Sequence, residues 1–191
     1  MPLVDRVKNI LLNPREEWGV IDAEPTAPAE LYKAYIVPLA AIGPVASAIG
    51  ALAFGFRGFG ITSRPPVGTV LSSAVVTYLL TLGGVYVLAL IIDALAPSFG
   101  GTQNQAQALK VSAYSSTASW VAGIFGLIPV LSILGILGLY SLYLLYLGLP
   151  VLMKAPAEKA MGYTAVVIIA AIVLFLVIGL VAGTFMTGAM T

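Results

Sequence analysis

The charged residues of this 191-residue chain are segregated: between its nine Lys/Arg and eight Asp/Glu run five almost wholly apolar stretches, each of about 20 residues. A helix needs about 20 uncharged residues to cross roughly 30 Å of hydrocarbon. The pattern therefore predicts an all-α, polytopic membrane protein, a bundle of five transmembrane helices with a short amphipathic helix at its N-terminus. Only 9% of residues are charged, against about 25% in soluble domains.

The spans are expected at 34–56, 67–94, 109–128, 130–153 and 163–187. Val111 to Met153 contains no charge. As one helix that run would measure about 64 Å, twice the hydrocarbon thickness. It must fold as a hairpin, and Gly126, Pro129 and Ser132 supply the turn chemistry near its middle. Cytoplasmic loops retain Lys and Arg. With the N-terminus inside, that set holds Arg6, Lys8, Arg15, Lys33, Lys110, Lys154 and Lys159, leaving Arg57 and Arg64 outside. The expectation is a multi-pass protein of the cell inner membrane with a cytoplasmic N-terminal segment, 1–33, a transmembrane domain, 34–191, and its last residues on the opposite face. The opening mixes Asp5, Arg6, Lys8, Arg15, Glu16 and Glu17 with single apolar residues, unlike a cleavable signal peptide.

Val4, Val7, Ile10 and Leu11 recur at helical spacing with Asp5, Arg6, Lys8 and Asn9 between them, which predicts an amphipathic helix over 3–12 ended by Pro14. Two placements fit it: an interfacial helix with Trp18 at headgroup depth, or a cap packed over the bundle. Pro25 and Pro28 predict an extended connector.

With no His and no Cys, the usual soft ligands for zinc, haem or iron–sulfur are lacking, as are Cys-His and Ser-His catalytic pairs. No catalytic residue, metal or cofactor is assigned. A net charge of +1 without a Lys/Arg run gives no nucleic-acid footprint.

Spans associate through small residues and polar contacts. Gly43, Ser47, Ala51 and Gly55 form one such face, and Gly179, Gly183 and Thr187 another; either packs the bundle internally, or Gly179 and Gly183 form the seam of a homo-oligomer. Pro38 and Pro44 can kink the first span. Asp93, the one acid between Glu30 and Glu158, is a functional candidate by its depth. Two readings fit it: an ion pair with Lys110 across the uncharged loop 97–107, which is the expectation, or a proton or cation relay. The third span is the least lipid-like, with Tyr114, Ser115, Ser116, Thr117 and Ser119 close together. With Thr77, Tyr78 and Thr81 of the second span and Tyr140 and Tyr143 of the fourth, Tyr114, Ser115, Ser116 and Ser119 are expected either to line a polar cavity or to form a dry hydroxyl-bonded core.

The stretches Val4-Asp5-Arg6-Val7-Lys8-Asn9-Ile10-Leu11 with Pro14-Arg15-Glu16-Glu17-Trp18, Ala108-Leu109-Lys110-Val111-Ser112-Ala113-Tyr114-Ser115 running to Ile128-Pro129, and Leu139-Tyr140 through Leu149-Pro150 with Lys154-Ala155-Pro156 together resemble a bacterial member of the Yip family, the Ypt/Rab-interacting membrane proteins. The resemblance implies a five-span protein with a cytosolic N-terminus and no established reaction. Eukaryotic members are associated with Rab GTPases and carry Asp-Leu-Tyr-Gly-Pro before the first span. Here the stretch reads Glu30-Leu31-Tyr32-Lys33-Ala34, which keeps Leu-Tyr and lacks Gly-Pro. Tyr114 matches the tyrosine of a second family motif.

The expected function is non-enzymatic: organisation of lipid, or of membrane and cytoplasmic protein partners, at the cytoplasmic face through Trp18, Glu30, Leu31 and Tyr32 and loop 100–107. The alternative is permeation of a small molecule or ion through the polar third span.

Overall fold

Every apolar stretch becomes helical, but not in five equal crossings. The computed structural model describes residues 1–58 and 61–187, with the backbone alone for 56–58, 61–63 and 182–187. The amphipathic stretch forms α1 (Leu3–Leu12), and after a turn at Asn13 the chain continues into α2 (Pro14–Ala23). Pro14 therefore starts a second helix as well as ending the first. Its missing N–H costs nothing at the first helical position, and Glu16 and Glu17 in the first turn suit the positive helix end.

The first long helix, α3 (Pro28–Phe54), bends around its prolines. Ahead of Pro38 the backbone widens into a π turn, Tyr32–Ile36, in which the Val37 N–H reaches the Tyr32 carbonyl. The wider turn accommodates a ring that would clash in a regular helix. A second break falls at Ala41, three residues before Pro44. Gly55, at φ 71°, ends α3 in a conformation that favours glycine. A two-stranded antiparallel ribbon, β1 (Phe56–Gly58) and β2 (Ile61–Ser63), leads into α4 (Val67–Leu95) and a short 3-10 turn, Ala96–Phe99. After α5 (Gln105–Ser115), α6 (Thr117–Ala122) and a 3-10 turn over Gly123–Leu127, an extended Ile128 turns the chain. Pro129 then opens a 3-10 helix, Pro129–Leu139, that runs into α7 (Tyr140–Leu152), and α8 (Ala157–Thr187) completes the fold. The hairpin turn thus falls between Gly126 and Pro129, within the Gly126–Ser132 stretch that the sequence marks.

Among the described residues four helices, not five, are long and apolar enough to cross a membrane: Pro28–Phe54, Val67–Phe99, Pro129–Leu152 and Ala157–Val181. The expected third span is broken at Ser116. The Ser115, Ser116, Thr117 and Ser119 hydroxyls all donate to carbonyls three or four residues earlier, and such back-bonding bends and weakens a helix. The broken segment descends parallel to α3: the Tyr35 and Thr117 hydroxyls meet at 2.7 Å, Gly43 packs on Gly123, and Gly50 faces the Gly126 and Leu127 carbonyls. A Cβ on Gly123 would come within 2.8 Å of the Gly43 Cα. The small-residue face of the first span is therefore used internally.

The core lies at one end. Ile10, Trp18, Ile21, Ile36, Ile92, Leu109, Leu144, Leu149, Met153 and Tyr163 are fully or almost fully buried there, where α1, α2 and α5 pack on the ends of α3, α4, α7 and α8. This is the capped half. Toward the other end, Val45, Ile49, Leu71, Val75, Ile133, Ile136 and Leu180 stand exposed. In this bare half none of Pro129–Leu139 is buried. The 29 residues of α4 measure about 43 Å and the 31 of α8 about 46 Å. Both exceed the hydrocarbon thickness and extend into the capped half, where the antiparallel pair is tied by the Tyr163 hydroxyl donating to the Ile92 carbonyl.

Candidate functional site

The α1–α2 hairpin enters the capped half through Trp18. The ring is 0% exposed and lies against Gly148 of α7, where an added Cβ would meet it at 2.7 Å. Trp18 packs edge-on to Tyr114 at 6.3 Å, and Tyr114 packs on Tyr35 at 4.6 Å. Its indole Nε1 is buried with no acceptor, a cost that tryptophan usually avoids. Docking this ring must therefore be held by other contacts.

Those contacts are ionic. Arg6 of α1, buried, donates to Glu17 of α2 and to Glu24 just beyond it, and its guanidinium lies over the Tyr114 ring, 5.7 Å from the centroid. Burial opposes the charge on Arg6, yet the hydrogen bond to Glu24 and the neighbouring carboxylates prevail and raise its pKa above the ordinary value. The network neutralises what would otherwise be a costly buried cation. Lys110 of α5, also buried, closes the end of α2 by donating to the Ile21 carbonyl at 2.9 Å and the Glu24 carbonyl at 2.5 Å, an arrangement that favours a cation at a helix C-terminus. At the rim Asp22 pairs with Lys154 and accepts from Gln107 at 3.0 Å, and the Tyr140 hydroxyl donates to the Leu11 carbonyl. A pocket of about 160 Å³ beside this network is lined by Arg6, Glu24, Glu30, Tyr35 and Tyr114.

The residues singled out in the sequence are redistributed. Trp18 and Leu31 are buried and cannot form a partner or lipid surface; Tyr32, half-buried, donates to the Leu82 carbonyl, and Glu30 alone of the four is exposed. Asp93 and Lys110 are not paired. Lys110 turns to the hairpin carbonyls, while one oxygen of Asp93 is buried without a hydrogen-bond partner. The polar set also separates. Thr77, Thr81 and Ser119 line a lateral cavity of about 460 Å³ between α3, α4, α6 and α8, but Ser115 and Ser116 are buried away from it on their own carbonyls. Tyr78 donates to the Val37 carbonyl, freed by the bend of α3, and Tyr114 belongs to the Trp18 cluster. Tyr140 and Tyr143 lie on another face, against the α1–α2 turn. Gly179 borders the lateral cavity with open space above it, and the surroundings of Gly183 lie outside the described residues.

Sequence reasoning missed Glu17, Glu24, Asp22, Lys154 and Gly148. Glu17 and Arg6 had a signal, since both fall on the buried faces of adjacent helices, but the α2 helix itself was not expected. Among the described residues no group of three His, Cys, Asp or Glu is placed to hold a metal ion. The arrangement is one that positions a helical hairpin by a ring, a neutral buried charge network and a lysine cap.

No curated protein and no solved structure matches the chain. A family model does: the Yip1 domain matches residues 8–179, from α1 through most of α8 and across the docked hairpin and the bundle alike. The chain belongs to the Yip1 domain family, a family of membrane proteins.

Proposed function

We propose that the chain is a non-enzymatic protein of an inner membrane that organises protein partners or lipid at the cytoplasmic face, with its N-terminus inside. One observation carries this reading: every charged residue except Arg57 and Arg64 belongs to the capped half or its rim, which the positive-inside rule makes the cytoplasmic side. Residues 1–33 then form the cytoplasmic segment and 34–191 the membrane domain. The membrane boundary crosses α7 near Tyr140, because the exposed apolar run Pro129–Leu139 ends there. As a 3-10 helix that run spans about 22 Å, and Tyr140, Tyr143 and Tyr146 follow as an exposed column at headgroup depth. The hairpin then lies at the membrane surface, bound to the bundle by one face and open on the other, where Val4 is 75% and Leu12 66% exposed.

Reporter fusions at Met1 and Thr191 test the orientation: a cytoplasmic reporter should work only at Met1, and the opposite result reverses it. A photo-crosslinker at Glu30 tests the organising role in native membranes, with Leu79 of the bare half as control. Reproducible adducts to one protein or lipid species are expected at Glu30 and not at Leu79; acyl-chain adducts alike at both positions would contradict the reading.

The second reading, permeation, is favoured by the lateral cavity and its Thr77, Thr81 and Ser119 hydroxyls. Thr81 and Ser119 donate to their own helices, and among the described residues no charged side chain lines the cavity. Solute or proton flux in liposomes that is abolished by Thr81→Val would make it the better account.

A further inference from the structure

The turn between α1 and α2 forms one wall of a notch of about 320 Å³, and Tyr140 and Tyr143 of α7 form the other. Arg15 and Glu16 line it side by side, and neither takes part in the ion pairs found among the described residues. Both are exposed, although four other charged groups of the hairpin are drawn into the network below. Among the described residues the Tyr143 hydroxyl has no hydrogen-bond partner, while Tyr140, its ring 5.4 Å from that of Tyr143, ties the turn to α7.

The position of the notch matters as much as its chemistry. It sits immediately above the unburied apolar run Pro129–Leu139, and Leu12 at its edge is 66% exposed. A molecule with a polar head and an apolar tail fits both surfaces at once. The two charges have opposite sign, so a purely anionic head would satisfy Arg15 and be repelled by Glu16.

We infer that this notch binds the headgroup of a zwitterionic aminophospholipid. The phosphate takes the Arg15 guanidinium in a charge-assisted pair, and the primary ammonium donates to the Glu16 carboxylate and lies beside the tyrosine rings. The acyl chains run down the exposed face of Pro129–Leu139, and the Tyr143 hydroxyl donates to a phosphate oxygen. The site rests on the orientation proposed above, which sets the membrane surface at Tyr140, and it deepens the lipid-organising role by naming the lipid class.

The test uses the full chain purified in mild detergent and offered equimolar phosphatidylethanolamine and phosphatidylglycerol of the same acyl composition, with bound lipid counted by native mass spectrometry. Wild type should retain phosphatidylethanolamine in preference, and Arg15→Gln or Glu16→Gln should each reduce retention about ten-fold. Equal retention of phosphatidylglycerol, or unchanged retention in both variants at unchanged thermal stability, overturns the proposal. So does equal competition by soluble glycerophosphoethanolamine, which would make the ligand a free metabolite. A Leu12→Cys variant of this cysteine-free chain, reconstituted in lipid nanodiscs where both membrane faces meet the reagent, separates the two levels of failure. Its thiol should be shielded from a membrane-impermeant maleimide. Full reactivity would sink the membrane placement together with the site, whereas shielding without lipid preference would sink the site alone.

Discussion

The two halves of this molecule are built from the same helices under different rules. In the capped half the inward faces of α4, α7 and α8 are packed by the hairpin and α5, large side chains such as Trp18, Leu144 and Tyr163 are fully buried, and buried charges are neutralised in networks. In the bare half α4 and α8 expose Val75 and Leu180, the 3-10 run exposes Ile133, and contact runs through Gly43, Gly50, Gly123 and Gly126. Water drives large apolar side chains together, so the capped half resembles a soluble core. Lipid provides no such drive, so the bare half holds together by close backbone approach. On the proposed placement of the membrane, the chain carries a water-type core on the projecting ends of its own spans.

The largest effects are expected where the hairpin enters the core. Trp18→Ala should cost about 3–5 kcal/mol by leaving a ring-sized cavity against Gly148, and Arg6→Met a similar amount, because Glu17 and Glu24 would remain as unpaired carboxylates, Glu17 buried. Thermal unfolding in detergent measures both. Arg6→Met combined with Glu17→Leu and Glu24→Gln should recover much of the Arg6 loss. If Arg6→Met alone is silent, the charge network does not hold the hairpin.

Gly148→Ala should cost about 1–3 kcal/mol, since its methyl meets the Trp18 ring; in a Trp18→Ala background the penalty should vanish. Lys110→Met should cost about 1–3 kcal/mol through the Ile21 and Glu24 carbonyls it leaves without a donor. Because Lys110 bonds to the hairpin and Asp93 does not, a double-mutant cycle with Asp93→Asn and Lys110→Gln should be additive within about 0.5 kcal/mol. Strong coupling would restore the ion pair expected from sequence. The smallest effects belong to the bare half: Ile133→Ala and Leu180→Ala, both at exposed positions, should change stability by less than about 0.5 kcal/mol.

These contrasts explain what sequence could show. Apolar run lengths carried the spans, Val7, Ile10 and Leu11 carried α1, and Gly126 with Pro129 carried the hairpin turn, because each is a local signal. The third span failed for a reason also present locally: clustered hydroxyls that stabilise an interior segment also compete for its backbone at Ser116. The site was far less legible. Lys110 finds its carbonyls 86 and 89 residues away, and no periodicity reveals a partner at that distance. Tyr140 and Tyr143 read as cavity residues by their polarity, but one is anchored to Leu11 and both face outward. Trp18 read equally well as a lipid anchor or a core residue, and the choice depended on Gly148, whose lack of a side chain gives no signal of what fills the space.

The central claim is that the membrane boundary cuts the molecule between these halves, at Tyr140. It is tested most directly by single spin-labelled cysteines along 130–152 in liposomes, comparing collision with oxygen and with a water-soluble nickel complex. The exposed positions Val130, Ile133 and Ile136 should be accessible to oxygen and closed to nickel, with the crossover at Tyr140 to Tyr146. Exclusion of nickel at the exposed positions Tyr143 and Tyr146 as complete as at Val130 and Ile133 would place them inside the hydrocarbon and contradict the division.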